Sequence, residues 1–172
     1  MKTIYSLLSL LLLLTVASCK KDTIAYSSDY NNSYLAWLDF KASSQNSYQY
    51  VVNFGSWTGY GTETTITVRA GKVVGRSFVA KQHPNQPNTP MTILGQWTED
   101  ENSLNTHEAG FATLTLDDIY RKAKEEWLQK RSDADTYFEA RNNGLISNAG
   151  YVPKGCQDDC FAGISIASIK AL

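Results

Sequence analysis

Histidine is nearly absent from this 172-residue chain, which has two, and cysteine is scarce at three. A structural zinc site needs about four nitrogen or sulfur ligands at short spacings. His83 and His107 lie far from each other and from any cysteine, so neither a metal centre nor another cofactor is expected. Basic excess is lacking too: 16 Lys and Arg against 17 Asp and Glu leave a net charge of −1. With no basic face to neutralise phosphates, nucleic acid is excluded as a partner. No Gly-x-Ser-x-Gly elbow occurs, and the glycine-rich stretch 55–61 leads into strand-like sequence, where a phosphate loop would need a helix. Internal repeats and low-complexity segments are also missing.

The longest apolar run, residues 7–14, falls short of the roughly 20 residues that span a bilayer. Its context gives it a different meaning. Lys2 supplies a positive start, and Val16-Ala17-Ser18-Cys19 ends it with small residues, the layout of a processed leader. The end resembles a lipobox, which implies cleavage before Cys19 and lipid on its sulfur, with palmitate among the acyl groups. One acyl chain holds a protein only marginally, whereas two or more anchor it. Residues 1–18 therefore read as a signal peptide, 19–28 as a polar tether and 29–172 as a single domain. The expected location is a bacterial envelope, as an outer-membrane lipoprotein facing the periplasm or the cell surface. Lys20-Lys21-Asp22 looks like the charged start of Bacteroidota lipoproteins.

With Cys19 committed to lipid, Cys156 and Cys160 remain. In an oxidising compartment such a pair reads as a disulfide, closing the short loop Gln157-Asp158-Asp159. So small a ring shapes a turn more than it stabilises a fold.

Periodicity supplies the elements. Tyr30, Tyr34, Trp37 and Leu38 share a helical face behind a Ser28 or Asp29 cap. Residues 48–54, 62–69 and 72–81 alternate as strands, and Ala70-Gly71 makes a tight reversal, so the three form an antiparallel meander. Three of the four prolines fall at 84, 87 and 90 and mark a loop. Residues 92–98 read as a short strand and 99–110 as polar loop. Thr115 and Asp118 open a second helix with a capping-box pattern, whose inner face is Leu116, Ile119, Tyr120, Ala123 and Trp127. Arg121, Lys122, Glu125 and Glu126 form its solvated side. Asn143-Gly144 signals a hairpin turn between strands at 136–141 and 145–152, and 163–169 is a last strand. Grouped strands and helices give an α+β fold. The expectation is a single twisted antiparallel sheet of about five to six strands with two helices packed on one face.

The arrangement of Trp37, Tyr48-Gln49-Tyr50, Arg69-Ala70-Gly71-Lys72-Val73, residues 115–120, Gly144-Leu145-Ile146 and Asp158-Asp159 resembles a family of uncharacterised bacterial exported domains, a domain of unknown function. The resemblance implies the fold and carries no activity.

Two functional readings follow from the residues. Trp57 and Tyr60 sit in the glycine-rich loop where no periodicity demands burial, and exposed aromatics on a rigid scaffold anchor partners. This favours a non-catalytic interaction or ligand-binding module whose partners are the bilayer, through acylated Cys19, and an envelope protein or glycan. The alternative is a small hydrolase using a His107/Glu108 acid–base pair, with no nucleophile identifiable. No catalytic residue is assigned, and the balance leans against an enzyme.

Overall fold

Strand pairing follows the tight turns. In a computed structural model, which describes residues 23–84 and 90–172, β1 (Tyr48–Gly55), β2 (Tyr60–Arg69), β3 (Lys72–Gln82) and β4 (Thr92–Asp100) form one meander. A second comprises β5 (Ala134–Glu139), β6 (Asn148–Pro153) and β7 (Ala162–Ala171). β7 lies against β1, which joins the two into one seven-stranded antiparallel sheet of order β4-β3-β2-β1-β7-β6-β5. Cys19 and Lys20-Lys21-Asp22, on which the anchoring expectation rests, fall outside the described residues.

The β2–β3 reversal shows how local chemistry fixes register. Ala70 and Gly71 have φ of 47° and 80°, and Arg69 pairs with Lys72. Positive φ at both central residues matches the twist of a two-residue hairpin. Asn143 and Gly144 repeat the geometry at φ 54° and 86°, with Asn142 and Leu145 bonded to each other across the turn. Here the turn stands inside a longer connection, so β5 and β6 begin and end away from it. The hairpin signal located the turn and misplaced the strand ends.

Seven strands replace the five to six expected from sequence. The segment read as a short strand at 92–98 is β4, a full strand of nine residues that runs on to Asp100. Its inward positions are Trp97 and Glu99, and a buried carboxylate breaks the apolar alternation by which strands are recognised.

Among the described residues two helices complete the α+β fold: α1 (Ser27–Ser43) and α2 (Leu116–Lys122), the latter continuing into a π-helical turn, Ala123–Trp127. The capping box is present, with Asp118 N–H donating to Thr115 Oγ1 at 3.2 Å and Thr115 N–H to Asp118 Oδ2 at 3.1 Å. The expected inner face of this helix is buried throughout, and the wider π turn, closed by Leu128 N–H on the Ala123 carbonyl, carries Leu128 inward as well. In α1 the buried set is Tyr30, Ser33 and Trp37, while Tyr34 and Leu38 are exposed. Helix α1 has no side-chain cap; it starts after Tyr26, whose φ is 56°. The folded part also starts earlier than residue 29. Ile24 is buried and bridges Gln129, Ala25 N–H donates to the Leu128 carbonyl at 2.7 Å, and the Thr23 carbonyl accepts Lys130 N–H at 3.1 Å.

The core is unusually phenolic. Trp37 is fully buried, edge-on to Tyr48 and stacked on Tyr120. Each buried hydroxyl has a partner, as desolvated polar groups require: Tyr30 donates to the Tyr120 carbonyl at 3.0 Å, Tyr50 to the Leu114 carbonyl at 2.6 Å, and Tyr48 accepts Leu116 N–H at 2.8 Å. Asp117 ties the helices together, accepting Trp37 Nε1–H at 3.0 Å and Lys41 Nζ at 2.6 Å.

Burial pushes the Tyr30 phenol up to about 12 and raises those of Tyr48, Tyr50 and Tyr120 above the usual 10.0. Between these values the unfolded chain loses phenolic protons that the folded chain keeps, so stability is intact below pH 10 and falls as pH climbs toward 12. Tyrosine ionisation, followed at 295 nm, is expected to rise in the same cooperative transition that abolishes near-UV circular dichroism. Ionisation of all ten tyrosines with the dichroism intact would contradict this.

Candidate functional site

Two loops at one end of the sheet meet to form an aromatic-lined concavity. The β1–β2 connection is a β-turn, closed by Gly59 N–H on the Ser56 carbonyl at 3.0 Å, with Trp57 at its crest. Gly59 has φ 84°, and a Cβ there would run into the His83 carbonyl, so glycine is required. The opposing loop runs from β6 to β7 and contains the Cys156–Cys160 disulfide, whose Cα atoms are 6.3 Å apart, inside the range such bonds span. Asp159 within it has φ 41°.

The loops are joined by side chains that fix the aromatic ring. Trp57 Nε1–H donates to Asp158 Oδ2 at 3.0 Å, and Ser56 Oγ–H donates to Asp159 Oδ2 at 2.8 Å. The indole is thus held by its edge while the residue stays 76 % exposed. Phe161 forms the next wall. Its ring lies over Gly150 and Gly163, which face each other across β6 and β7, and a Cβ at either position would collide with that ring. The glycines are therefore a seat for Phe161, with the aromatic ring covering bare backbone. The resulting concavity measures about 640 Å³ and is lined by Trp57, Phe161, Asp158, Asp159 and the disulfide. Among the described residues each carboxylate keeps one oxygen without a partner.

Tyr60, expected beside Trp57, lines other depressions. It meets Phe54 edge-on at 6.5 Å and borders a separate hollow of about 320 Å³ with Val52 and Phe111. The sequence signal for Trp57 was its place in a glycine-rich loop. Asp158 was marked only as part of the disulfide loop, and its meeting with Trp57, about 100 positions away, carried no signal; nor did Phe161.

His107 belongs to a different cluster at the β3–β4 side. Its acid partner is Glu99, eight positions earlier, and Glu108 is exposed. Arg76 grips Glu99 in bidentate fashion, through Nε to Oε2 and Nη2 to Oε1, both at 2.9 Å. Glu99 also accepts the N–H groups of Asn105 and His107, and His107 Nδ1 stands 3.1 Å from Oε1. Arg76 donates in turn to the His107 and Phe111 carbonyls and lies over the Trp97 ring, on whose face the imidazole stacks at 4.4 Å. The Arg76 guanidinium, assisted by these N–H donors, holds the Glu99 carboxyl well below the usual carboxylate range. A carboxylate so saturated clamps the loop after β4 and is held in its charged form, which makes it a poor proton acceptor near neutral pH. Among the described residues the imidazole bonds only Glu99 and Thr106, neither of them a serine or cysteine nucleophile.

Among the described residues no group of three or more His, Cys, Asp or Glu side chains is placed to hold a metal ion, and no helix is long and apolar enough to cross a membrane. No known protein family, curated protein or solved structure matches the chain.

Proposed function

We propose that the chain is a lipoprotein of a bacterial cell envelope, anchored through Cys19, that acts as a non-catalytic binding module. In this reading it is one of the exported domains its sequence resembles. Its two helices share the Tyr48–Tyr50 face of the sheet, and its contacts are made by the loops at the sheet end. The observation that carries the reading is Trp57, exposed yet pinned by Asp158 against a disulfide-braced loop. An aromatic anchor held rigid before a partner arrives loses little freedom on binding. The saturated Glu99 gives the hydrolase alternative no support.

The test places a photoreactive residue at position 57 and, in a second variant, at Tyr137, which is exposed on β5. Irradiation of intact envelopes is expected to give a covalent adduct from position 57 and none from 137. Adducts at neither position, or equally at both, would defeat the proposal.

A further inference from the structure

We infer that the sheet end carrying Trp57 and Phe161 docks on a phospholipid headgroup layer. This names the partner of the site proposed above and rests on the acylation of Cys19. The argument starts from register. Gly55 pairs with Gly61, Gln82 with Thr92 and Ala134 with Pro153, so the loop at 56–59, the start of β4 and the disulfide loop all lie at one end of the sheet. The chain's entry into the fold is at that end too. Thr23–Ala25 is bonded to Leu128–Lys130, and three residues further on the Asp133 carbonyl accepts Lys154 N–H at 2.8 Å, where β6 leads into the disulfide loop.

Only four chain steps separate Cys19 from Thr23. Fully extended, they reach about 14 Å. A lipid on Cys19 therefore keeps this end of the domain within about that distance of the membrane surface, and no longer leash lets it turn away. Exposed apolar groups are gathered at the same end: Phe54, Trp57, Ile93, Leu94 and Phe161. At the opposite end the turns at 44–47, 70–71 and 141–147 expose no large apolar side chain, and Leu172 is the one exposed there beside Ser47 among the described residues. Tryptophan prefers the headgroup level, and because the Trp57 N–H already has Asp158 as its acceptor, the ring can enter with no polar group unsatisfied. Charge fits the same surface. Lys130 and Lys154 flank the entry point and form no ion pair among the described residues; Lys154 Nζ donates to the Ser132 carbonyl at 2.9 Å, and both ammonium groups keep donors for lipid phosphates. The oxygens of Asp158 and Asp159 that have no partner among the described residues match the ammonium of an ethanolamine headgroup.

The full chain, purified from its own membranes, is reconstituted in phosphatidylethanolamine–phosphatidylglycerol vesicles whose acyl chains are brominated near the headgroup. Intact mass reports Cys19 acylation independently of docking. Bromine is expected to quench tryptophan emission, and Trp57→Phe to reduce that quenching at least about threefold, since an indole at the interface is the one the bromines reach. Acylated protein with no quenching, or with quenching that Trp57→Phe leaves unchanged, would overturn docking while the anchor stands. Protein without an acyl group would remove the anchor. In that event Trp57-dependent quenching on the same vesicles would still support docking, and its absence would overturn it.

Discussion

Replacing Arg76 with methionine is expected to lower the melting temperature by about 10 °C, because it strands the Glu99 carboxylate in the interior. Arg76 and Glu99 are both almost wholly buried. Two charges taken from water are tolerable only while each satisfies the other, and removing one partner leaves the other's full desolvation cost. Glu99→Gln should be comparably damaging, since it leaves the guanidinium with carbonyl partners alone. The double replacement Arg76→Met, Glu99→Met should recover most of the loss, because two well-packed apolar groups often match a buried pair. The acid limb provides a second signature. The stability conferred by Glu99 is present above the ordinary 4.5 and is lost as pH falls below it toward the depressed folded value. In Glu99→Gln that portion of the acid sensitivity should vanish. Additive losses in the double variant, measured by thermal melts at several pH values, would show that the two charges are not coupled.

Removing a single oxygen from Tyr120 should cost about 3 kcal/mol, because it leaves two or three buried partners unsatisfied at 1–3 kcal/mol each. The hydroxyl accepts Ile146 N–H at 3.0 Å, lies 2.8 Å from Ser33 Oγ and donates to the Ser33 carbonyl at 3.1 Å. It thereby joins α1, α2 and the connection between β5 and β6. Tyr30→Phe is the control. Its hydroxyl serves one partner, the Tyr120 carbonyl, and its loss should cost about 1 kcal/mol. Urea denaturation of the two variants decides the matter, and equal losses would mean that the three-way junction adds nothing.

The parts of this architecture that were legible in the sequence are those set by neighbours along the chain. Ala70-Gly71 and Asn143-Gly144 announced their turns, Thr115 and Asp118 their cap, and Tyr48, Tyr50 and Val52 their buried face. What was hidden depends on residues far apart. Glu99 reads as the start of a polar loop until Arg76 is seen opposite it across β3 and β4. The exposure of Tyr34 and Leu38 could not be foreseen from a helical wheel, because α1 buries only the narrow stripe of Tyr30, Ser33 and Trp37. At the candidate site the same division holds. Trp57 stood out by its glycine neighbours, whereas the carboxylate that orients it and the glycine seat beneath Phe161 exist only once β1 and β7 pair.

The position of Leu172 has a practical consequence. Its N–H donates to the Ser47 carbonyl, beside the start of β1 and at the far end of the sheet from Thr23. β7 has ten residues, and at about 3.3 Å per residue it holds Leu172 roughly 30 Å from the Thr23 end of the sheet along the strand direction. A reporter or affinity handle appended after Leu172 would hang from the pole opposite Trp57 and Phe161, and could be read by an antibody without disturbing their loops.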